Sequence, residues 1–263
     1  MTRTIQQLFD LTGKTALVTG GSRGLGLQLA QALGEAGAKI MLSSRKAEDL
    51  EESAATLKAA GIAVDWIAAD CAKEADIRGL ADETIKRFGH VDILVNNAGA
   101  AWGAPAEDHP VEAWDKVMNL NIRGYFILSQ HIAKNSMIAR RSGRIINVAS
   151  IAGLGGNPPE MTTVAYNTSK GAVVNFTRAL GCEWGKYNIT VNAICPGFFP
   201  SKMTVGTLKA LGEEKLAAHA PLRRLGDDED LKGLCVLYAS DAGKHITAQW
   251  LAVDGGVSSV TGG

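Results

Sequence analysis

Short apolar runs alternate along this chain with helix-length amphipathic segments, and no other feature constrains the fold as strongly. A strand followed by a helix and another strand is the pattern of a parallel sheet. The predicted strands cover 15–19, 39–43, 63–69, 93–96, 144–149, 190–194 and 249–253. The predicted helices cover 25–36, 46–60, 74–87, 111–138, 164–184 and 227–239. The pattern predicts an α/β fold with a doubly wound parallel sheet of about seven strands and helices on both faces.

No repeat, charge block or low-complexity linker interrupts this order, so residues 1–263 are predicted to form a single domain. Two stretches break the pattern after the carboxyl ends of strands. They are the glycine- and proline-rich loop 151–165 and the segment 197–222, in which a short helix is predicted near 204–218. Ligands bind at that edge of an open parallel sheet, so both stretches are predicted to be substrate-side loops.

The charge balance argues against whole classes of partner. The chain has 27 Lys plus Arg and 27 Asp plus Glu, so no net charge attracts nucleic acid or an anionic membrane. The first residues lack the apolar core of a signal peptide, and no apolar run approaches the roughly 18 residues that span a bilayer. We therefore expect a cytoplasmic protein whose partners are small molecules and copies of itself.

The cysteines and histidines show no metal-site or disulfide pattern. Cys71, Cys182, Cys195 and Cys235 form no Cys-x-x-Cys pair, and the five histidines lack metal-ligand spacing. Reduced, largely structural cysteines are the simpler interpretation. We expect neither a disulfide nor a bound metal.

A glycine-rich turn connects the first predicted strand to the first predicted helix, and it reads Thr19-Gly20-Gly21-Ser22-Arg23-Gly24-Leu25-Gly26. In this setting such a turn is typical of a dinucleotide site, whereas the glycines alone would fit an ordinary surface turn. Gly20 would form the tight turn, Gly24 would let the backbone approach the pyrophosphate, and Gly26 would allow close helix packing. Free N–H groups at the helix amino end would bind the anion, beside Ser22, Arg23 and Leu25.

The end of the second predicted strand, Ser43-Ser44-Arg45-Lys46, indicates which dinucleotide is preferred. An acidic residue there would bind the adenosine 2′-hydroxyl and repel a 2′-phosphate, and this chain has none. Arg45, beside Ser44, can pair bidentately with a phosphate, and Arg23 can reach it from the glycine turn. These residues predict NADPH over NADH. The alternative is that Arg45 and Lys46 only form a solvated helix start.

Polar residues also follow the third and fourth predicted strands. Asp70 and Cys71 follow the third, and Asn96-Asn97-Ala98-Gly99 follow the fourth. Ordinary turn chemistry is one interpretation of these residues. Their position at the carboxyl edge favours cofactor contact, with Asp70 at the adenine and a backbone wall from Asn96 to Gly99 behind the cofactor. Cys71, Asn97, Ala98 and Gly99 are therefore candidate cofactor residues.

Tyr166 and Lys170 lie four residues apart in a predicted helix. Side chains at i and i+4 share one helix face, so the ammonium is expected close to the phenol. A nearby cation favours the ionised phenol, whose ordinary pKa is about 10. The spacing therefore predicts a tyrosine with a lowered pKa that exchanges a proton near neutral pH.

Together with Ser150 after the fifth strand and Asn121 in 119–124, these motifs resemble the short-chain dehydrogenase/reductase family. The resemblance covers about residues 12–257, and the motifs occur in the family's order. They are the glycine turn, Asn96 to Gly99, the tetrad Asn121, Ser150, Tyr166 and Lys170, and Pro196-Gly197 after the sixth strand. Any one motif is weak, but the combination is specific. The resemblance implies a single-domain Rossmann fold with Tyr166, Lys170, Pro196 and Gly197 also at the cofactor.

The resemblance implies hydride transfer between a nicotinamide cofactor and a carbonyl or alcohol. Tyr166 would be the general acid that protonates the carbonyl oxygen, and the base in the reverse direction. Lys170 would contact the nicotinamide ribose and stabilise the tyrosinate. Ser150 would hydrogen-bond the substrate oxygen. Asn121 would hold a water that links Lys170 to solvent.

The segments 97–104 and 196–204 look like those of bacterial β-ketoacyl reductases of the rhamnolipid-associated kind. This likeness favours a 3-oxoacyl thioester carried by acyl carrier protein or CoA. Arg223-Arg224 or Lys202 are candidates to contact a phosphopantetheine carrier, although isolated surface cations are the simpler interpretation of these residues. The predicted substrate contacts are Trp102, Asn157, Phe198 and Met203, with Phe199 as a further apolar wall. A sugar or polyol dehydrogenase resembling gluconate 5-dehydrogenase is the alternative, and a non-catalytic dinucleotide-sensing protein is a third.

Two further expectations concern the substrate loop and the assembly. Ser150 and Tyr166 are sixteen positions apart, about three more than the resemblance to ketoacyl reductases leads us to expect. The extra residues fall within 157–163, in a loop expected to line the substrate cleft. The resemblance also implies a homotetramer with interfaces formed by helices 111–138 and 164–184 and the last strand.

Overall fold

The structure is a computed structural model that describes residues 2–201, 204–206, 208 and 212–260. Within these ranges seven parallel strands form one sheet in the order β3-β2-β1-β4-β5-β6-β7. The strands are β1 (Thr15–Thr19), β2 (Lys39–Ser44), β3 (Val64–Ala68), β4 (Ile93–Asn96), β5 (Gly143–Val148), β6 (Ile189–Pro196) and β7 (Trp250–Val253). The strand order reverses between β1 and β4, which places the ligand-binding crevice of a doubly wound sheet at their carboxyl ends.

The helices of the described ranges connect these strands and cover both faces of the sheet. They are α1 (Ile5–Phe9), α2 (Gly24–Glu35), α3 (Ala47–Ala59), α4 (Glu74–Phe88), α5 (Val111–Met118), α6 (Gly124–Ile132), α7 (Ile138–Arg140), α8 (Val164–Trp184), α9 (Glu213–His219) and α10 (Lys232–Ala239). Two π-helical turns, Asn119–Arg123 and Ala133–Met137, join α5, α6 and α7 into one helical stretch. None of the helices described is long and apolar enough to cross a bilayer.

Strand side chains alternate between two apolar layers, because successive residues of a strand point to opposite faces. Leu17 and Met41 pack into the layer under α4, α6 and α8. Val18 and Leu42, one residue further on, pack into the opposite layer under α2, α3 and α10. All four side chains are fully buried, as the strands of a sheet covered on both faces must be. The predicted fold class is confirmed.

A chain of buried polar side chains ties the centre of the sheet to two helices. Asn96 Nδ2 on β4 donates to Ser129 Oγ on α6 and to Asn147 Oδ1 on β5, both at 2.9 Å. Asn147 Nδ2 donates in turn to Thr177 Oγ1 on α8 at 3.0 Å. A buried amide left without partners would destabilise the fold, so these bonds fix the positions of α6 and α8 against the sheet.

The predicted helix 111–138 is interrupted by the two π-helical turns, and two other predicted helices differ from the observed ones in their bounds. The helix predicted over 227–239 begins only at Lys232, because Asp230 Oδ2 accepts from the backbone N–H of Asp227 at 2.9 Å and shapes a turn there. The helix predicted near 204–218 falls partly outside the described residues, and α9 at its end covers Glu213–His219.

The four cysteines are free thiols, three buried and Cys182 exposed. Burial raises the pKa of Cys71 and Cys235 to about 12 and that of Cys195 to about 11. A thiol with so high a pKa is a poor nucleophile at neutral pH. Within the described residues no group of three or more His, Cys, Asp or Glu side chains is arranged to hold a metal ion.

Candidate active site

The predicted site residues lie along one edge of the sheet, because parallel strands all end on the same side. The glycine turn follows β1, Ser44-Arg45 ends β2 and Asp70-Cys71 follows β3. Asn97 to Gly99 follow β4, Ser150 follows β5, and Pro196-Gly197 end β6. The fold therefore brings together residues that are nearly 180 positions apart in the chain.

The glycine turn is packed tightly on its inner side. Gly20 has a φ of +64°, which a side chain rarely adopts, and a Cβ there would lie 2.8 Å from Asn97 Nδ2. A Cβ at Gly26 would lie 2.2 Å from the carbonyl oxygen of Gly20 and 2.4 Å from Asn97 Nδ2. Neither position has room for a side chain.

The outer side of the turn is open. The nearest described atom to a Cβ built on Gly24 is Ser201 Cβ, 3.8 Å away. Arg23 precedes α2 in extended conformation, and no side chain in the described part of the chain caps that helix end. The free N–H groups of α2 therefore face an open space, which fits the pyrophosphate of a dinucleotide.

Asn97 holds the glycine turn in place. Its Nδ2 donates to the carbonyl oxygens of Thr19 at 2.9 Å and Gly20 at 3.2 Å. The backbone N–H groups of Asn97 and Ala98 both donate to Thr19 Oγ1, at 3.0 and 3.1 Å. Thr19 was missed as a site residue, although a hydroxyl directly before the first glycine is a visible signal.

The two arginines predicted for a 2′-phosphate have different surroundings. Arg45 is exposed and has no ion-pair partner among the described residues. Arg23 Nη2 lies 3.2 Å from Asp49 Oδ2 on α3, a carboxylate that sequence reasoning missed. Ser44 Oγ reaches only the carbonyl oxygen of Lys46, at 3.5 Å. Of these two arginines, only Arg23 is paired with a carboxylate among the described residues, so the charge of Arg45 is the one available to a bound phosphate.

Asp70 shapes the turn that leads into α4. Its Oδ1 accepts from the backbone N–H of Ala72 at 3.0 Å, and its own backbone N–H donates to Asp76 Oδ2 at 3.0 Å. A Cβ on Gly124 would lie 2.4 Å from the carbonyl oxygen of Cys71, so the α6 helix start packs directly on this turn. Asp70 thus makes turn contacts, and its adenine contact stays a prediction.

Tyr166, Ser150 and Lys170 form one cluster at the end of β5. The Ser150 hydroxyl accepts from the backbone N–H of Ala152 at 3.1 Å, and its interaction with the Tyr166 phenol lowers the pKa of that phenol. Lys170 Nζ donates to the carbonyl oxygen of Val148 at 2.7 Å and lies 5.7 Å from the centre of the Tyr166 ring. The expected sharing of one helix face is therefore observed.

The expected lowering of the tyrosine pKa is wrong for this arrangement. Burial raises the pKa of Tyr166, and the hydrogen bond from Ser150 only opposes that rise. Burial also lowers the pKa of Lys170 to about 8. The ammonium points at the Val148 carbonyl oxygen rather than at the phenol oxygen, so loss of hydration outweighs the attraction between the two groups.

Asn121 lies in the first π-helical turn and reaches the loop after β4. Its Oδ1 accepts from Ala100 N–H at 2.8 Å, and its Nδ2 donates to Ala100 O and Ser169 Oγ, both at 2.9 Å. Both amide hydrogens are used, so a water held by this side chain must donate to it. A Cβ on Gly99 would lie 3.3 Å from Asn121 Oδ1 and 3.7 Å from Lys170 Nζ, so both atoms border one small space.

Three further residues of the cluster were missed. Ser169 links Asn121 to the carbonyl oxygen of Tyr166, and its place one residue before Lys170 was a signal. Tyr125 OH shares the Val148 carbonyl oxygen with Lys170, at 3.3 Å, and nothing in the sequence indicated this. A Cβ on Gly153 would lie 2.4 Å from the backbone of Lys170, so the turn Ile151–Gly153 packs directly on α8.

The predicted substrate contacts are only partly assembled in the described residues. Trp102 is 44 % exposed and Phe198 is partly buried. Phe199, expected as an apolar wall, belongs instead to the core, where its ring would lie 2.4 Å from a Cβ on Gly226. Asn157 is hydrogen-bonded to Thr163 and Asn167. Met203, like Lys202, lies outside the described residues.

A cavity of about 790 Å³ lies beside β7, away from this cluster. Its lining includes Leu154, Phe199, Pro221, Leu222, residues 224–226, Asp230, residues 250–256, Ser258 and Ser259, and no member of the tetrad.

Fold and motifs together define a Rossmann-type oxidoreductase, with Tyr166 and Lys170 at the same edge of the sheet as the open glycine turn. The chain belongs to the short chain dehydrogenase family, whose sequence profile matches residues 14–211. Members of this family are dehydrogenases and reductases, so the alternative of a non-catalytic dinucleotide-sensing protein is not supported.

Individual relatives carry different names. The chain is 39 % identical over 254 residues to the rhamnolipids biosynthesis 3-oxoacyl-[acyl-carrier-protein] reductase of Pseudomonas aeruginosa, covering 94 % of this chain and 97 % of that one. It is 35 % identical over 257 residues to gluconate 5-dehydrogenase of Gluconobacter oxydans, and the match covers 95 % of this chain and 97 % of that one. The structure of a gluconate 5-dehydrogenase from Burkholderia cenocepacia J2315 with NADP and tartrate matches with a TM-score of 0.92 and 35 % identity. The match covers 98 % of this chain and 100 % of that one. The predicted resemblance, including that to rhamnolipid-associated reductases, is confirmed.

Proposed function

We propose that this enzyme is an NADPH-dependent carbonyl reductase that transfers hydride to the ketone of a 3-oxoacyl thioester, with Tyr166 as general acid. The observation that carries this proposal is the clustering of Ser150, the partly buried Tyr166 and Lys170 at the end of β5, with Lys170 Nζ 5.7 Å from the centre of the Tyr166 ring. The name of the Pseudomonas relative supports the choice of a 3-oxoacyl substrate.

The chemistry follows from the protonation states of the cluster. Because burial raises the pKa of Tyr166, the phenol keeps its proton at neutral pH and can give it to a carbonyl oxygen. The Ser150 hydroxyl accepts from Ala152 N–H, so its one hydrogen, which favours the ionised Tyr166 phenol when no substrate is bound, can turn to the same carbonyl oxygen as negative charge develops there. The bound nicotinamide supplies the hydride. The ammonium of Lys170 stabilises the phenolate left behind.

The pH dependence of ketone reduction should report Lys170. Burial lowers the pKa of Lys170 to about 8, so the side chain is charged below that pH and neutral above it. We expect kcat/KM for the ketone to be level below about pH 7 and to fall up to tenfold per unit as pH rises through 8. Lys170→Arg keeps its charge, so its decline should move to higher pH. An inflection near pH 8 that persists in Lys170→Met would contradict this assignment.

The preferred dinucleotide follows from Arg45. Its guanidinium is exposed at the end of β2, where no acidic residue opposes a 2′-phosphate. We expect kcat/KM with NADPH to exceed that with NADH by about tenfold or more, because one charge-assisted hydrogen bond to the 2′-phosphate contributes a binding free energy of that size. Arg45→Asp should lower the ratio, whereas Lys244→Asp, at the opposite edge of the sheet, should not. A ratio of one or less in the unchanged enzyme would defeat the prediction.

The deciding experiment is NADPH oxidation against acetoacetyl thioester, a 3-oxoacyl N-acetylcysteamine series and 5-ketogluconate. Trp102 and Phe198 offer apolar surface, so turnover should rise with acyl length. A second candidate is a sugar or polyol dehydrogenase, favoured by the names of the Gluconobacter and Burkholderia relatives. Activity on the keto-sugar alone would select it.

Partners and assembly complete the proposal. An acyl carrier protein or CoA would present the thioester, but Arg224 is already paired with both carboxylate oxygens of Asp230, at 2.5 and 2.7 Å, so it offers little free charge.

A homotetramer is supported by large apolar side chains that stay exposed on β7 and on the stretch from α5 to α6. They are Trp250, Leu251, Val111 and Phe126. A cytoplasmic location stays a prediction.

A further inference from the structure

Tyr166 lies in the first turn of its helix, where a helix is intrinsically weakest. The helix α8 begins at Val164, two residues before Tyr166. The first N–H groups of a helix lack intrahelical partners, so this turn frays unless a side chain caps it. Thr163 stands at the cap position, yet its side chain makes no capping bond to the helix N–H groups described. Something else must hold the turn that carries the acid.

The Thr163 hydroxyl is instead part of a closed triad with two amides. It donates to Asn167 Oδ1 at 2.8 Å and accepts from Asn157 Nδ2 at 2.9 Å. Asn157 Nδ2 donates its second hydrogen to Asn167 Oδ1 at 3.0 Å. The three hydrogens of Thr163 and Asn157 make the three bonds within the triad, and Asn167 Nδ2 donates outside it to the carbonyl oxygen of Gly155 at 3.4 Å. Asn167 directly follows Tyr166, and Asn157 begins the extended part of the loop.

The loop between Asn157 and Thr163 has its own backbone support. Met161 N–H donates to Pro158 O at 2.9 Å, and Thr163 N–H donates to Met161 O at 3.0 Å. Ala104 N–H donates to Thr162 O at 2.9 Å, which joins this loop to the one that carries Trp102. The extra residues therefore connect a wall of the cleft to the first turn of the catalytic helix.

We propose that Asn157, Thr163 and Asn167 are positioning residues, and that this triad replaces the missing helix cap to hold the Tyr166 phenol against Ser150. The inference rests on the proposed role of Tyr166 as the acid. It assigns a purpose to the extended loop: the additional residues let Asn157 reach Asn167. Loss of the triad moves the phenol relative to the carbonyl oxygen while the dinucleotide turn, built on β1 and α2, stays intact.

The test compares Thr163→Val, which has the same shape without the hydroxyl, with Thr163→Ser, which keeps it. We expect Thr163→Val to lower kcat about tenfold, since small displacements of reacting groups are costly, with the Kd for NADPH within about twofold. Thr163→Ser should restore kcat. Amide hydrogen exchange at 165–168 should speed up in Thr163→Val and not in Thr163→Ser, with the global unfolding midpoint little changed.

Two more variants of the same loop sharpen the comparison. Asn157→Asp keeps the size of the side chain but removes the donor, so it should reproduce Thr163→Val. Glu160→Gln is the matched control, because Glu160 is exposed and has no hydrogen-bond partner in the described ranges. The inference is overturned if Thr163→Val keeps kcat and exchange rates within twofold of the unchanged enzyme, or if Glu160→Gln loses as much.

Failure of this inference can be told apart from failure of the proposed function. If Tyr166→Phe abolishes turnover and Thr163→Val does not alter it, the triad has no positioning role and the acid assignment stands. If Tyr166→Phe leaves turnover intact, the acid assignment and the inference fall together. The exchange measurement needs no substrate, so it decides whether the triad holds the helix turn whichever ketone the enzyme reduces.

Discussion

Replacing Tyr166 with phenylalanine is expected to lower kcat for ketone reduction by about 10³-fold, within the usual range for loss of a general acid. The substitution removes only the phenol oxygen, which is the group that would protonate the substrate oxygen and whose pKa Ser150 lowers. Binding of NADPH should stay within about twofold, because the pyrophosphate site is built by the glycine turn. Steady-state kinetics and a fluorescence titration of NADPH measure the two effects separately.

Tyr187→Phe is the matched control for this substitution. Tyr187 lies after α8 at the opposite edge of the sheet, and its hydroxyl has no hydrogen-bond partner among the described residues. We expect it to retain full activity. If Tyr166→Phe kept more than about a tenth of the original kcat, Tyr166 would not be the acid.

The substitution Gly26→Ala should damage both stability and dinucleotide binding. A Cβ there would lie 2.2 Å from Gly20 O and 2.4 Å from Asn97 Nδ2, and neither can move without breaking the turn. We expect the free energy of unfolding to fall by about 1–3 kcal/mol, the usual cost of overpacking. NADPH should bind at least about tenfold more weakly as the turn opens. Urea unfolding and calorimetric titration test the two effects.

The substitution Gly79→Ala should raise the free energy of unfolding, whereas Gly26→Ala should lower it. Gly79 lies within α4, and a Cβ there would meet no described atom within 4 Å. Alanine is the better helix former by about 0.5–1 kcal/mol, so Gly79→Ala should stabilise the protein slightly and leave NADPH binding unchanged. If Gly26→Ala resembled Gly79→Ala, close packing would not explain the glycine in the turn.

Elements with a strong local pattern were predicted closely, whereas elements shaped by distant contacts were not. Helix α8 has the predicted bounds, 164–184, because its apolar positions recur at helical spacing. The two π-helical turns between α5 and α7 were missed, and at the first of them Asn121 reaches across to Ala100. The start of α10 was placed too early because the bonds of Asp230 to Arg224 and Asp227 are not visible in a periodicity.

The candidate site shows the same division. Tyr166 and Lys170 were identified from spacing alone, and their shared helix face was correct. The direction of the tyrosine pKa was not, because it depends on burial and on the Val148 carbonyl oxygen that takes up the ammonium. Asn97 was expected beside the cofactor, yet its amide holds the glycine turn, a contact between chain positions 77 and 78 residues apart.

The sequence by itself determined the parallel α/β fold, the order of the motifs and the residue types available for hydride transfer. These follow from side-chain periodicity and from glycine's freedom to adopt a positive φ, which are local properties. Only the tertiary structure decided the directions in which the pKa values of Tyr166 and Lys170 are shifted, the partners of Asn121 and the attachment of the extended loop to α8. Those depend on loss of hydration and on hydrogen bonds between distant segments, which exist only once the chain has folded.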